Sequence, residues 1–130
     1  MTIDTSKMFI ILSMIFCHIV DDYYLQGVLA SMKQKSWWYK SLDKRCFNKH
    51  KHDYMVALIM HSFSWAFMIM LPLAIVAKFQ IGTPFSVVFA ANVIIHAYTD
   101  NLKANELKIN LVQDQTIHML QVLSTAGVLL

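Results

Sequence analysis

A long apolar run in the middle of the chain limits the possible folds more than any other feature. Residues 54–77 include no aspartate, glutamate, lysine or arginine. A helix needs roughly 20 mostly apolar residues to cross the hydrocarbon layer of a bilayer. The run therefore predicts a transmembrane helix, in which Pro72 is tolerated because neighbouring groups can satisfy the freed carbonyl.

The composition extends this prediction to the whole chain of 130 residues, of which 57% are hydrophobic and only 15% are charged. An average soluble domain has about 25% charged residues. Three further apolar segments are long enough to act as spans, so we expect an all-α integral membrane bundle of four transmembrane helices. It is predicted to form a single domain over residues 1–130, with spans at about 8–29, 54–77, 84–100 and 111–130.

The basic residues are distributed unevenly between the loops. Seven of the 11 lysines and arginines lie in residues 32–53 and two more in residues 101–110, whereas Lys7 and Lys78 lie outside both segments. Cytoplasmic loops carry the excess of basic residues in membrane proteins. Both of these loops are therefore predicted to be cytoplasmic, and both termini are predicted to be non-cytoplasmic.

The longer basic loop also has the composition of a membrane interface. Trp37, Trp38 and Tyr39 lie among its lysines. Aromatic rings settle at headgroup level and lysines attract anionic lipid, so membrane lipid is the expected partner. A solvated loop that only sets topology is the alternative. Nucleic acid is not an expected partner, because the basic residues lie between two hydrophobic spans.

Histidines and aspartates recur at helical spacing within the predicted spans. Residues four apart lie on one face of a helix, and three such pairs occur: His18 with Asp22, His96 with Asp100, and Asp114 with His118. His61 adds a single imidazole to the second span. Ionisable residues inside a span are costly, so each of them suggests a function. Asp21 shares the face of His18, but we favour Asp22.

The predicted topology places these residues at a common depth in the cytoplasmic halves of all four helices. A bundle can turn such groups into one pocket, as di-metal carboxylate proteins do. Imidazole and carboxylate ligands together favour zinc, with manganese or ferrous iron as alternatives. For any single pair, a buried histidine bonded to aspartate is an equally good explanation. The predicted metal ligands are His18, Asp22, His61, His96, Asp100, Asp114 and His118.

Other residues near these pairs are candidates for chemistry or substrate binding. Asp22 or Asp100, where not used as a ligand, is predicted to act as a catalytic group. Lys103 completes the candidate catalytic set because it can neutralise a phosphate or an anionic headgroup, although a lysine extending to the interface is the commoner role. Gln26 and Gln115 are candidates for orienting ligands or hydrogen-bonding the substrate.

The order and spacing of these motifs resemble those of a family of small bacterial and phage membrane proteins known as domain of unknown function 3307. The resemblance covers nearly the whole chain, and Tyr23 is a mild departure from it. It implies a bacterial inner-membrane location and supplies no reaction. More loosely, the pattern is similar to that of inner-membrane metal-dependent hydrolases and of membrane ceramidases. The matching stretches are HIVDDYYLQ at 18–26, His61, HAYTDNLK at 96–103 and DQTIH at 114–118.

Three functions are compatible with this pattern. The first is a metal-dependent hydrolase at the cytoplasmic leaflet, where a bound ion activates water. The second is a transport or ion-conducting bundle in which the same residues form a relay. The third is a non-catalytic membrane interaction protein, such as a viral factor, whose metal only holds the bundle together. The first fits best because the polar groups occupy one half of the membrane. The sequence leaves open whether the chain forms a homo-oligomer.

Overall fold

A computed structural model describes residues 4–130, and over this range every regular element is helical. The all-α prediction is therefore confirmed. Four long helices form the bundle, and three short helices lie in the basic loop between the first two. In chain order the helices are α1 (Thr5–Val20), α2 (Leu29–Met32), α3 (Lys35–Ser41), α4 (Lys44–His50), α5 (Asp53–Val76), α6 (Thr83–Ala104) and α7 (Leu111–Leu129).

The ends of the long helices follow from local sequence. Asp4 caps α1 by accepting a 3.0 Å hydrogen bond from the backbone N–H of Ser6. In α6, Pro84 lies in the first turn, where backbone N–H groups have no partner within the helix, so the missing N–H of proline costs no hydrogen bond. The start of α7 is a capping box, in which Asn110 and Gln113 each accept a 3.0 Å bond from the other's backbone N–H. This box fixes the first turn of α7, which carries Asp114.

The first long helix ends differently from the prediction. After Val20 the chain continues as a single π-helical turn, Asp21–Leu25. Gly27 then adopts a φ of 48°, a left-handed conformation that glycine tolerates without steric cost. The helix predicted to reach residue 29 therefore stops at Leu25. The wide turn matters for the site, because both of its neighbouring aspartates become buried.

The four long helices pack in a closed ring. Helix α5 packs against α1 and α6, and α7 closes the ring by packing against α6 and α1. One end of the bundle interior is apolar, and the other end is polar. The buried apolar cluster consists of Met14, Trp65, Ala66, Ile69, Met70, Leu73, Val122 and Ala126.

Two helical segments are long and apolar enough to cross a membrane, Thr5–Leu25 and Asp53–Val76. Helices α6 and α7 have the length of a span, but the polar side chains that they turn inward lower their hydropathy. Asn92, His96, Thr99 and Asp100 are all buried on α6. By length and composition two of the four predicted spans are candidates, and the prediction of four spans is not confirmed.

Candidate metal centre

Polar side chains from α1, its π-helical turn, α5, α6 and α7 meet at the end of the bundle opposite the start of α1 and the end of α7. All four histidines of the predicted set are at most 1% exposed, and the aspartates of the set are at most 7% exposed. The structure therefore brings the predicted histidines and aspartates together from four separate stretches of sequence. We call this group, together with Asp21, the His/Asp cluster. Its members are His18, Asp21, Asp22, His61, His96, Asp100, Asp114 and His118.

A first set of ligand atoms lies around the facing Nε2 atoms of His61 and His96, which are 3.2 Å apart. Oδ1 of Asp22 lies 3.2 Å and 3.8 Å from these two nitrogens, and Oδ2 of Asp100 lies 3.5 Å and 3.9 Å from them. Zinc with bonds of 2.0–2.2 Å separates tetrahedral ligands by about 3.3–3.6 Å. The four side chains are thus close to the spacing that a tetrahedral ion requires.

A second set lies around His118. Its Nε2 atom is 3.3 Å from Oδ1 of Asp100 and 3.3 Å from Oδ1 of Asp114. His96, Asp100 and His118 also offer one ligand atom each within 4.8 Å of one another. Asp100 therefore belongs to both sets, and it faces them with different oxygen atoms.

The hydrogen bonds of Gln121 determine which nitrogen of His118 carries the proton. The side-chain nitrogen of Gln121 donates to the backbone carbonyl of Asn92 over 3.2 Å, so its oxygen Oε1 must face His118. Nδ1 of His118 lies 3.3 Å from that oxygen and donates to it. In the neutral ring Nε2 is then a lone pair, as a metal ligand must be. This lone pair points at two carboxylate oxygens.

Several buried atoms of the cluster lack a hydrogen-bond partner among residues 4–130. They include Nε2 of His118 and Oδ1 of Asp114. Buried polar atoms are nearly always paired, so an unpaired group calls for an explanation such as an ion. When His118 is neutral, its lone pair faces two carboxylate oxygens, which is electrostatically unfavourable, and either a proton on Nε2 or a metal cation removes the repulsion. The residues present therefore fit a divalent metal ion.

His18 is close to these sets but is not part of either. Its Nδ1 atom accepts a 2.8 Å hydrogen bond from the indole Nε1–H of Trp65, and its Nε2 atom lies 3.1 Å from Oε1 of Gln115. Because an indole N–H can only donate, Nε2 of His18 carries the proton and donates to Gln115. Both ring nitrogens are occupied, so the structure gives His18 a supporting position and not the predicted ligand position.

Gln115 connects the two carboxylates on either side of the cluster. Its Nε2 atom donates to Oδ2 of Asp22 over 3.2 Å and to Oδ2 of Asp114 over 3.1 Å. The amide therefore orients two candidate ligands, which is one of the two roles predicted for it. Gln26, by contrast, donates to the backbone carbonyl of Asp22 within the π-helical turn. Its amide nitrogen therefore bonds the backbone of the turn and does not orient a candidate ligand side chain.

Asp21 is the aspartate that the sequence interpretation set aside, and the structure gives it a position behind His61. Its Oδ2 atom lies 3.6 Å from Nδ1 of His61, and its Oδ1 atom accepts a 2.6 Å hydrogen bond from Ser64. A carboxylate that hydrogen-bonds the far nitrogen of a ligating imidazole orients the ring and makes it a better ligand. At 3.6 Å the Asp21–His61 pair is longer than a hydrogen bond, so Asp21 is placed for this role without making the bond. The π-helical turn lets Asp22 face the ligand atoms while Asp21 lies behind the imidazole.

Two lysines approach the cluster from its more exposed side. Nζ of Lys103 lies 2.5 Å from Oδ2 of Asp114, and Nζ of Lys33 lies 2.5 Å from Oδ2 of Asp100. Lys103 is thus paired with a carboxylate one helix away, and not with Asp100, the residue one turn before it. Lys33 was not predicted as a site residue, because it looked like one of many basic residues in the loop. The lysine side chains are 35% and 12% exposed, respectively.

Aromatic and amide side chains support the cluster from the apolar side, and the sequence interpretation did not include them. Trp65 stacks on His96 with ring centroids 4.2 Å apart. Asn92 donates to Thr125 over 2.7 Å and accepts from Gln121. Each lies three to seven residues from a predicted histidine on the same helix. The helical spacing that identified the His–Asp pairs would therefore have found these residues too.

Neither a known protein family, nor a curated protein, nor a solved structure matches this chain. The resemblance to domain of unknown function 3307 and to membrane hydrolases stays a prediction. The function of the chain is therefore inferred from the geometry of the His/Asp cluster.

Proposed function

We propose that this chain is a four-span membrane protein of the bacterial inner membrane that binds a divalent metal ion, zinc by preference, in its His/Asp cluster. The bound ion serves the hydrolysis of a lipid headgroup or another amphiphile at the cytoplasmic leaflet. The observation that carries the proposal is Nε2 of His118, which is buried without a hydrogen-bond partner among the described residues and lies 3.3 Å from Oδ1 of Asp100 and 3.3 Å from Oδ1 of Asp114. Buried carboxylates are unfavourable unless cations neutralise them, and a divalent ion would do so here.

The outer surface of the bundle supports the membrane part of the proposal. Large apolar side chains on all four long helices point outward, and charged groups are buried at one end of the interior, a distribution that is unusual for a water-soluble protein. At 1.5 Å per residue, α6 and α7 are about 33 Å and 28 Å long, close to the roughly 30 Å of a hydrocarbon layer. The most exposed examples are Phe9, Phe16, Ile94, Val112 and Val128, each at least 66% exposed.

The number of ligand atoms in the first set determines whether a carboxylate is left over for proton transfer. A bound divalent ion lowers the pKa of its water toward about 7 and polarises the bond to be broken. A catalytic zinc site uses three protein ligands, whereas the first set offers four atoms. Asp22 is the most exposed aspartate of the set, at 7%, whereas Asp100 is held by Lys33. Asp22 is therefore the carboxylate best placed to accept a proton from the attacking water.

The lysines define how a substrate would approach. Lys33 and Lys103 each pair with a carboxylate of the cluster, and both are more exposed than the carboxylates that they pair with. An ion that neutralises Asp100 and Asp114 weakens the hold of these carboxylates on the two ammonium groups. The lysines can then bind an anionic headgroup that arrives from the membrane interface.

The experiment that tests the proposal measures bound metal and turnover together. The purified chain, in bilayers and loaded with zinc or manganese, is incubated with a panel of lipid esters, amides and phosphate esters. We expect bound metal and product release, and we expect His118→Ala to reduce both. His50→Ala is the matched control, because His50 bonds Asp53 outside the cluster over 2.7 Å. A metal-loaded chain that releases no product from any class would refute hydrolysis.

A transport function is the second candidate, and one observation favours it. The polar interior continues beyond His118 through Gln121, Asn92 and Thr125, toward the end predicted to be non-cytoplasmic. These three residues also line a groove of about 280 Å³ between α6 and α7. The groove contains amides and hydroxyls without an ionisable group, so it is a poor path for protons. Metal flux into proteoliposomes without hydrolysis would favour transport over the first candidate.

A further inference from the structure

We infer that the His/Asp cluster is built for two metal ions, with Asp100 as the carboxylate that bridges them. This inference rests on the proposed metal site, but it does not require that the reaction be hydrolysis. It specifies the number of ions, the division of ligands between them and the charge of the substrate group.

The two oxygens of Asp100 face different imidazoles. Oδ2 lies on the side of His61, 3.5 Å from its Nε2 atom, and Oδ1 lies on the side of His118, 3.3 Å from its Nε2 atom. A carboxylate whose two oxygens are both directed at histidine nitrogens is arranged as a bridge. In two-metal sites the ions are close enough for one carboxylate to contact both.

One ion cannot use all the ligand atoms that the cluster presents. An ion in the first set would take His61, His96 and Oδ2 of Asp100, with Asp22 beside them. Nε2 of His118 and Oδ1 of Asp114 would remain 3.3 Å apart and without a hydrogen-bond partner among the described residues. Together with Oδ1 of Asp100 they make three ligands, the number that a zinc ion with an open position requires.

In each set, one imidazole also has an acceptor behind its Nδ1 atom. In the first set, His61 has Asp21 behind its Nδ1 atom at 3.6 Å. In the second set, His118 has Gln121 behind its Nδ1 atom at 3.3 Å. His61 and His118 thus each present Nε2 to the cluster and have an acceptor on the far side, whereas Nδ1 of His96 has no hydrogen-bond partner among the described residues. Such partners orient metal-bound histidines, and their presence at both positions favours two ions.

The charge balance then indicates the class of substrate. Ionised Asp21, Asp22, Asp100 and Asp114 carry four negative charges, against two positive charges on Lys33 and Lys103. One divalent ion would neutralise the remainder, and a second ion would leave two positive charges in a buried place. Uncompensated buried charge is strongly unfavourable, so the two-ion form requires anions. A hydroxide and a phosphoryl group supply them, whereas a neutral ester or amide does not.

Metal stoichiometry on the intact chain tests the inference. Zinc analysis of the purified protein should give two ions per chain, and His118→Ala and Asp114→Asn should each give one. His50→Ala should retain two and serves as the control for handling. In the manganese form, the electron paramagnetic resonance spectrum should show two coupled ions in the parent chain and one uncoupled ion in His118→Ala. Inorganic phosphate should bind the two-ion form and not the His118→Ala form.

The outcomes separate this inference from the proposed function. One ion per chain at saturating metal, unchanged in His118→Ala, would overturn the two-ion site even if the protein hydrolyses lipid. Two bound ions without turnover would support the two-ion site and refute the proposed hydrolase activity. Two ions without phosphate binding would overturn the phosphoryl assignment. Thermal unfolding of each variant shows whether it is folded. If His118→Ala does not fold, Asp114→Asn provides the same test of the second ion.

Discussion

The indole N–H of Trp65 donates a 2.8 Å hydrogen bond to Nδ1 of His18, and this bond sets the role of the imidazole. An imidazole that accepts at Nδ1 and donates at Nε2 has no lone pair left for a metal ion. His18 instead holds Gln115, which in turn bonds the carboxylates of Asp22 and Asp114. A residue that looks like a ligand by spacing thus acts as a support.

Trp65→Phe tests this role because it removes the N–H and keeps most of the ring. We expect the number of bound ions to stay the same and metal affinity to fall about 10- to 100-fold, the usual effect of losing a supporting partner. Competition with a chelator of known affinity measures the change. Trp37→Phe, in the loop, is the matched control. Loss of a whole ion in Trp65→Phe would mean that His18 is itself a ligand.

Gln121→Leu tests the assignment of the lone pair on His118. Without the amide oxygen, the proton of His118 is no longer held at Nδ1, and Asn92 loses a donor. We expect metal affinity to fall about 10- to 100-fold, with a smaller loss of thermal stability. Gln34→Leu is the control, because the side chain of Gln34 lies between α2 and α3 and donates to the backbone carbonyl of Ala30, outside the cluster. Equal metal affinity in the two variants would contradict the assignment.

Lys103→Met tests the pairing with Asp114. Asp114 is fully buried, and removal of its cation leaves an uncompensated charge, which is strongly unfavourable. We expect a lower midpoint of thermal unfolding in the metal-free protein and a smaller difference in the metal-loaded protein. The reason is that the ion takes over the neutralisation of Asp114. Lys108→Met is the control, since Lys108 pairs with Glu106 at the surface, and it should change neither midpoint. An equal effect of Lys103→Met with and without metal would contradict this explanation.

Periodicity made the main features of the fold predictable. Apolar runs indicated the long helices, and spacing of four residues indicated the pairs that the structure brings together. The sequence could not show the π-helical turn, because nothing local distinguishes it from a continuing α-helix. That turn decides how Asp21 and Asp22 divide their roles between support and ligand position. Predicting only Asp22, and not Asp21, as a site residue therefore missed one of the two aspartates of the turn.

Contacts between distant segments were the other unpredictable part. Lys33 and Asp100 are far apart in sequence, and their 2.5 Å contact depends on how the loop returns to the bundle after Gly27. The direction of the imidazole protons likewise depends on partners from other helices, such as Trp65 for His18. Spacing shows which side chains share a helix face, but not which atom of each faces a neighbour.

The exposed side chains of the loops allow the membrane topology to be measured. Cys46 is exposed in the basic loop, so it should react with a membrane-impermeant thiol reagent applied from the cytoplasmic side. In a Cys46→Ser background, Lys108→Cys should label from that same side and Lys78→Cys from the opposite side. Labelling of all three positions from one side would overturn the four-span orientation and the cytoplasmic location of the His/Asp cluster.

Asp22→Asn tests the chemistry itself, because asparagine keeps the size of the side chain and can still accept a hydrogen bond but cannot take a proton. Asp22 faces His61 with Oδ1 at 3.2 Å and accepts from Gln115 with Oδ2 at 3.2 Å. If Asp22 is the general base, turnover should fall by about 10²- to 10⁴-fold while bound metal is unchanged. Asp53→Asn, at the start of α5 and outside the cluster, is the matched control and should retain full turnover. Loss of metal together with turnover would instead identify Asp22 as a ligand and leave proton transfer to another carboxylate.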